Sequence, residues 1–339
     1  MSTDPQTARD TLDPGAGEIG LALGSGSARG LAHIGVIRAL EEQGFRIRWV
    51  AGTSIGALVG AVYAAGRLAD LESSYLDFDW TDVAALLDVV FPRSGLIDGR
   101  KVAEFVRAHL HTDRIEHLQR PFRAVATDVY SGEEVVIDRG DVIDAVRASI
   151  AVPGIFTPVR RGGRLLVDGG LVDPVPVSVV RAMGAPRVVA VDLNDRVVQS
   201  RIARDRRRRP PQDKVGDFLG RLLGSLGGQQ TEMLHQFRLW TEQDETPGIF
   251  ELLLTAYNIM EAQITRMRLH ADPPDLVIRP PVAEFRFLDY HRAGEIIERG
   301  HAAAMAALLK HTGAADRRST LEAGTALQGA SHDPGGARR

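Results

Sequence analysis

The stretch Trp49-Val50-Ala51-Gly52-Thr53-Ser54-Ile55-Gly56-Ala57-Leu58 constrains the fold more than any other. An apolar run of strand formers ends at Gly52, and a run of small helix-compatible residues starts after Ser54. The Gly-x-Ser-x-Gly between them suits a sharp strand-to-helix turn that strains the serine backbone and exposes its Oγ. Gly52 and Gly56 let the chain bend tightly and let strand and helix approach closely. The helix start beneath Ser54 adds partial positive charge where an oxyanion would form.

A second junction of the same kind lies upstream. Ile19 to Leu23 reads as a buried strand, and Leu31, Ile34, Ile37 and Leu40 recur at helical spacing before Gly44. Between them runs Gly24-Ser25-Gly26-Ser27-Ala28-Arg29-Gly30. A dinucleotide fingerprint fails there, because counting from Gly24 puts Arg29 where the last glycine belongs, and no acidic residue caps a second strand. The Gly-Lys-Ser/Thr of a phosphate loop is absent. A tight turn without a ligand and an oxyanion hole built of backbone N–H groups remain, and the serine elbow one unit later favours the oxyanion hole.

The rest of the core alternates strands with helices. Strands are expected at Arg46–Ala51, Phe122–Val129, Glu134–Ile137, Leu165–Val167, Arg187–Leu193 and Leu276–Ile278. Helices are expected at Ser54–Ala65, Asp141–Ile150, Val175–Ala182, Phe250–Leu269 and Tyr290–Lys310, with residues 67–120 mostly helical around a break at Asp98-Gly99. Such alternation predicts an α/β fold, a mainly parallel sheet covered by helices on both faces (α/β/α). Asp168-Gly169-Gly170 directly follows the apolar run Leu165-Leu166-Val167, so the Asp168 carboxylate should emerge at the carboxyl edge, where Ser54 also emerges.

Composition narrows the function classes. With 339 residues, 44% hydrophobic content and a net charge of -3, the chain reads as an ordinary globular protein without whole-chain attraction to nucleic acid. Lack of cysteine removes disulfides and thiolate metal sites, and no metal or organic cofactor is expected. No secretory leader or spanning segment is recognisable, so the expected location is cytoplasmic. The segment from Arg196 to Lys214 carries eight basic side chains, including Arg206 to Arg209, and Phe218, Leu219, Leu222, Leu223 and Leu226 follow at helical spacing. A solvated linker packed onto the domain is the plain reading; peripheral contact of 196–240 with an anionic membrane is the sharper one. Self-association into a homo-oligomer is left open. None of the ten histidines presents itself for a conventional triad; His33 lies beside the first glycine loop, where packing or loop support suits it.

Together the quoted motifs resemble the patatin-like phospholipase family, in particular its bacterial branch related to the neuropathy target esterase catalytic domain. The likeness is carried by Gly24–Gly30 running into Leu-Ala-His-Ile-Gly-Val, by Gly52–Ala57, by Arg147-Ala-Ser-Ile-Ala-Val-Pro-Gly154 and by Val167-Asp-Gly-Gly-Leu-Val-Asp-Pro-Val-Pro-Val177. The resemblance implies a serine esterase with a Ser–Asp dyad: Ser54 as nucleophile and Asp168 as general base and acid. It further implies an oxyanion hole around Ser25, Gly26 and Ser27, with Arg29 shaping or charging that loop. Gly24, Gly30, Gly52, Gly56, Gly169 and Gly170 are then supporting motif positions. The implied substrate is a phospholipid or lysophospholipid; an acyltransferase, or a non-catalytic lipid- or partner-binding protein of the same fold, are the alternatives. Ser25 and Ser27 depart from the family's glycines: serine keeps the N–H donor but resists positive φ. The implied organisation is a disordered N-terminus at 1–17, a catalytic core at 18–194 and a basic linker with amphipathic helical insertion at 195–246. The rest of the same domain follows at 247–310, and a disordered tail at 311–339.

Overall fold

The computed structural model describes residues 17–86, 97–195 and 249–329. Its centre is an eight-stranded mixed sheet in the order β5-β6-β3-β2-β1-β7-β8, with β4 also on β3. The strands are β1 (Glu18–Leu23), β2 (Arg46–Thr53), β3 (Phe122–Asp128), β4 (Glu134–Ile137), β5 (Val159–Arg161), β6 (Arg164–Asp168), β7 (Val188–Val191) and β8 (Leu276–Ile278). The pairs β1–β2, β1–β7, β2–β3 and β7–β8 are parallel, whereas β3–β4, β3–β6 and β5–β6 are antiparallel.

Alternation along the central strands explains the two-sided burial. Ile19, Leu21 and Leu23 of β1 join one apolar cluster, and Ala22 joins the other; Val189 and Val191 of β7 divide from Val188 and Ala190 in the same way. The larger cluster takes in helices α1 (Ala32–Glu42), α2 (Ile55–Ala64) and, beyond α3 (Leu68–Leu76), α4 (Trp80–Leu86) and α5 (Arg100–Ala108), helix α6 (Val142–Ser149). The smaller cluster packs under α7 (Val177–Ala182). Helix α8 (Ile249–Ala271) follows, and α9 (Ala293–Gly329) closes the described chain against α1.

Three differences from the sequence reading have physical causes. β6 runs antiparallel to β3, so Asp168 does not sit on a parallel strand beside Ser54. Val159–Arg161 forms a strand that three charged or β-branched residues after Pro158 did not advertise; it pairs with β6 across the Gly162-Gly163 turn. Helix α9 continues to Gly329, past the point where a disordered tail is expected; its many alanines are the strongest helix formers and outweigh Gly313 and Gly324 in that extension. The stretch before Gly17 and the basic and amphipathic residues 196–240 lie outside the described residues.

Candidate active site

The elbow forms where β2 stops. Ser54 has φ 58° and ψ -125°, one of two non-glycine residues with positive φ among those described. That conformation costs on the order of 1–3 kcal/mol and persists only where the surroundings hold it. The holding groups are visible. Ser54 N donates to Ser149 Oγ at 2.8 Å, and Ser149 Oγ donates to Val125 O at 2.5 Å. Thr53 Oγ1 donates to Asp173 O at 2.7 Å. A Cβ at Gly56 would be driven into the Leu23 carbonyl at the end of β1, so helix α2 seats its first turn directly on sheet backbone.

Register on β3 brings Asp168 to this elbow. β2 pairs with β3 up to Thr53 opposite Val125, and β6 takes over one residue later, with Asp168 opposite Ala126. Since β4 already occupies the other edge of β3 at both positions, β2 and β6 share one edge and meet by their C-terminal ends. Thr53 and Asp168 are therefore successive neighbours along β3, and Ser54 turns over Asp168. Ser54 Oγ donates to Asp168 Oδ2 at 2.6 Å. Asp168 Oδ1 accepts from Gly170 N at 2.7 Å and from Tyr257 Oη at 3.0 Å. Ser54 keeps 8% of its surface while Asp168 has none, so an ester can reach the hydroxyl but water cannot solvate the carboxylate. Burial pushes Asp168 up to about 6, against the hydrogen bonds from Ser54, Gly170 and Tyr257 that favour its charged form. A base requirement of this kind predicts a rate. With a soluble ester, kcat/KM should rise as pH climbs through about 6. An acid limb at the ordinary aspartate position near 4 would contradict it.

The first glycine loop lies against the elbow. Its chain enters a 3-10 helix, Ser27–Leu31, and Ser27 takes φ 51° despite its side chain. Its hydroxyl donates to Phe287 O at 2.6 Å, which offsets the strain the sequence reading anticipated. Ser25 corrects one expectation: its N–H donates to Pro174 O at 2.9 Å, so it does not face the elbow as a donor. Among the described residues the N–H groups of Gly26, Ser27 and Ile55 have no backbone acceptor. Arg29 is buried; its Nε donates to Gly26 O at 3.1 Å and its Nη2 to Asn258 Oδ1 at 2.8 Å, bracing the loop from within. His33 supports the same loop: its Nε2 and Gly24 O are 2.7 Å apart, and burial lowers its pKa to about 4, so the ring is neutral and Nε2 carries the proton it donates.

A pocket opens from Ser54 between the elbow and the helical region 68–108. Its volume is about 70 Å³, and it is lined by Ile55, Leu58, Val102, Phe105, Val152 and Phe287 among others, with Ser27 and Ser54 in the same lining. Among the described residues no cluster of three acidic or histidine side chains could hold a metal ion. The sequence reading missed Ser149, Tyr257 and Glu261. Ser149 lies in a motif that drew attention as a whole. Tyr257 and Glu261 are four residues apart on a helix, a spacing that puts them on one face and says nothing of what that face meets.

A mixed α/β sheet that presents a strained serine at a strand-to-helix elbow is the arrangement shared by α/β serine hydrolases; here the serine is bonded to a buried aspartate and, among the described residues, to no histidine. Residues 21–181 match the model of the patatin family, described as patatin-like phospholipase. An uncharacterised NTE family protein of Mycobacterium tuberculosis (strain ATCC 25618 / H37Rv) is 35% identical over 333 residues, covering 86% of this chain and 91% of the relative. The chain belongs to the patatin-like phospholipase family. Longer relatives match it over one part of their length. The lysophospholipase NTE1 of Mycosarcoma maydis is 30% identical, with 85% of this chain on 14% of that protein. Human patatin-like phospholipase domain-containing protein 6 is 27% identical, with 84% of this chain on 20% of it.

Proposed function

We propose that this protein hydrolyses fatty-acyl ester bonds of phospholipids or lysophospholipids through an acyl-enzyme on Ser54. The observation that carries the reading is the 2.6 Å hydrogen bond from Ser54 Oγ to Asp168 Oδ2 beside an apolar pocket that Ser54 lines. Membership of a family of lipid hydrolases supports the substrate class.

In the first half-reaction Ser54 Oγ attacks the ester carbonyl carbon while its proton passes to Asp168 Oδ2. The carbonyl oxygen becomes an oxyanion, for which the N–H groups of Gly26, Ser27 and Ile55 and the start of α2 are the available donors. Collapse breaks the bond to the alcohol, which leaves with the proton from Asp168. Water then attacks the acyl-Ser54 ester, Asp168 accepts its proton, and the fatty acid departs as Ser54 recovers its own. A carboxylate raised to about 6 is ionised at neutral pH yet more basic than an ordinary aspartate, which suits both halves of the cycle.

Release of fatty acid from lysophospholipid micelles tests the reading, together with mass spectrometry of the chain after a fluorophosphonate probe. Turnover and an adduct confined to Ser54 are expected; an inert protein whose Ser54 stays unlabelled would leave a binding role. The pocket predicts selectivity as well. Val102→Trp narrows it and should lower kcat/KM on a long-chain ester about tenfold relative to a short-chain one. Equal losses on both esters would place the acyl chain elsewhere.

A further inference from the structure

The face of α8 that meets the site carries Tyr257, Asn258 and Glu261, and Glu261 keeps only 3% of its surface. Ser25 and Tyr257 both face its carboxyl. Ser25 Oγ accepts from Asn194 Nδ2 at 3.1 Å, and Tyr257 Oη donates to Asp168 Oδ1 at 3.0 Å. A methyl group placed on Gly170 would collide with Glu261 Oε1, Tyr257 Oη and Asp168 Oδ1, so these three oxygens surround a single point. Glu261 thus sits between the Asn194–Ser25 pair and the chain that runs from Tyr257 through Asp168 to Ser54 Oγ.

Counting protons along this path decides its direction. A hydroxyl has one proton to give. Tyr257 gives its only proton to Asp168. Glu261 Oε1, which crowds the same point as Tyr257 Oη and Asp168 Oδ1, can then bond to Tyr257 only by supplying the proton itself.

We propose that Glu261 works as a neutral carboxylic acid, a positioning residue that donates to Tyr257 Oη and so commits Tyr257's only proton to Asp168 Oδ1. The inference rests on Asp168 serving as the base of the proposed hydrolysis, and it assigns this arm of α8 to holding that base. With Oδ1 saturated by Gly170 and Tyr257, Oδ2 is left for Ser54 and for the proton it exchanges.

The groups that face Glu261 pull both ways, and burial decides. Burial raises its pKa to about 8 and the charge of Asp168 on β6 raises it further, while Ser25, Arg29 beside the glycine loop and Tyr257 oppose them. Loss of the proton would put a second carboxylate next to Ser25, on the loop whose Gly26 and Ser27 N–H groups are the proposed oxyanion donors. Two carboxylates would then compete for Tyr257's proton. Both effects work against a transition state that gathers negative charge at that loop.

The test uses the full chain and compares wild type with Glu261→Gln, Glu261→Leu, Tyr257→Phe and an Ser54→Ala blank on a soluble ester across pH. Wild-type kcat/KM should decline as pH rises through about 8. Glu261→Gln, whose amide donates to Tyr257 but does not titrate, should stay within about threefold of wild type at neutral pH and lose that alkaline decline. Glu261→Leu, which breaks the path, should fall by about 10- to 100-fold. Tyr257→Phe removes a donor to the charged Asp168 and should move the acid limb upward. Glu261→Gln as damaged as Glu261→Leu, or Glu261→Gln that keeps the alkaline decline, overturns the inference. Infrared difference spectra of wild type against Glu261→Gln give a reading independent of turnover: a protonated carboxyl band at neutral pH is expected. Its absence overturns the inference; its presence in a chain no more active than Ser54→Ala would leave Glu261 protonated and sink the dyad instead.

Discussion

Ser54→Ala and Asp168→Asn should each cut fatty-acid release by about four orders of magnitude, to the level of the blank. The two losses have different origins. Alanine at 54 removes the atom that attacks, and the elbow keeps its other supports because Ser54 N still donates to Ser149 Oγ. Asparagine at 168 preserves volume and can still accept from Gly170, yet it is no base. Stability separates them. In the fold Asp168 is held up at about 6 against an ordinary 3.8, so its contribution to stability is full below about pH 4 and is lost as pH rises through 6. Above that window the fold carries a buried charge that asparagine never acquires. Asp168→Asn should therefore unfold later than wild type at pH 8, by about 1–3 kcal/mol, with the difference shrinking toward pH 4. An inactive Asp168→Asn protein that is less stable than wild type at both pH values would mean that the carboxylate holds the fold rather than serving the reaction.

The largest loss of stability is expected far from the nucleophile, at Gly35→Val. Helices α1 and α9 cross with their backbones touching. A Cβ at Gly35 would be driven into the carbonyl oxygen of Ile297, and one at Gly300 into the carbonyl oxygen of Ala32. Main-chain atoms of two hydrogen-bonded helices cannot step aside as a side chain can, so the helices must separate. With Ile34, Ile37, Ile296 and Ile297 all buried around this crossing, separation opens the larger apolar cluster. Gly35→Val should cost about 3 kcal/mol or more, read as a lower denaturation midpoint, with Gly35→Ala intermediate. Activity should suffer too, since His33 on α1 ties Gly24 of the glycine loop. A valine variant that unfolds at the wild-type midpoint would show that the crossing yields easily.

How much of the molecule can be read from its residues differs from element to element. The elbow is legible because Gly52-x-Ser54-x-Gly56 specifies a backbone conformation within five residues, and the conformation is what the site requires. The strands on either side are legible for a similar reason: apolar runs bounded by Gly, Pro and polar residues report burial on both faces. Asp168 is legible as the end of a strand, but its route to Ser54 is not. The sequence suggests a shared carboxyl edge of parallel strands, whereas β6 comes from the opposite direction and meets β2 end to end along β3. Strand direction depends on the whole path from Ile137 to Arg164, which no local pattern records.

What the sequence alone determined, then, is the set of local conformations: a serine forced to positive φ above a helix start, a glycine loop beside it, and an aspartate at the end of an apolar strand. Only the tertiary structure decided which of these groups touch. The successive register of Thr53 and Asp168 on β3, the loss of the Ser25 N–H to Pro174, and the arrival of Tyr257 and Glu261 from α8 all join residues distant in the chain. The physical reason is the reach of each interaction. Steric limits on φ and ψ act between neighbours and leave a mark in the residue pattern. Hydrogen bonds between buried polar groups are set by how sheet and helices pack, and a tyrosine on a helix carries no sign of the aspartate it will meet.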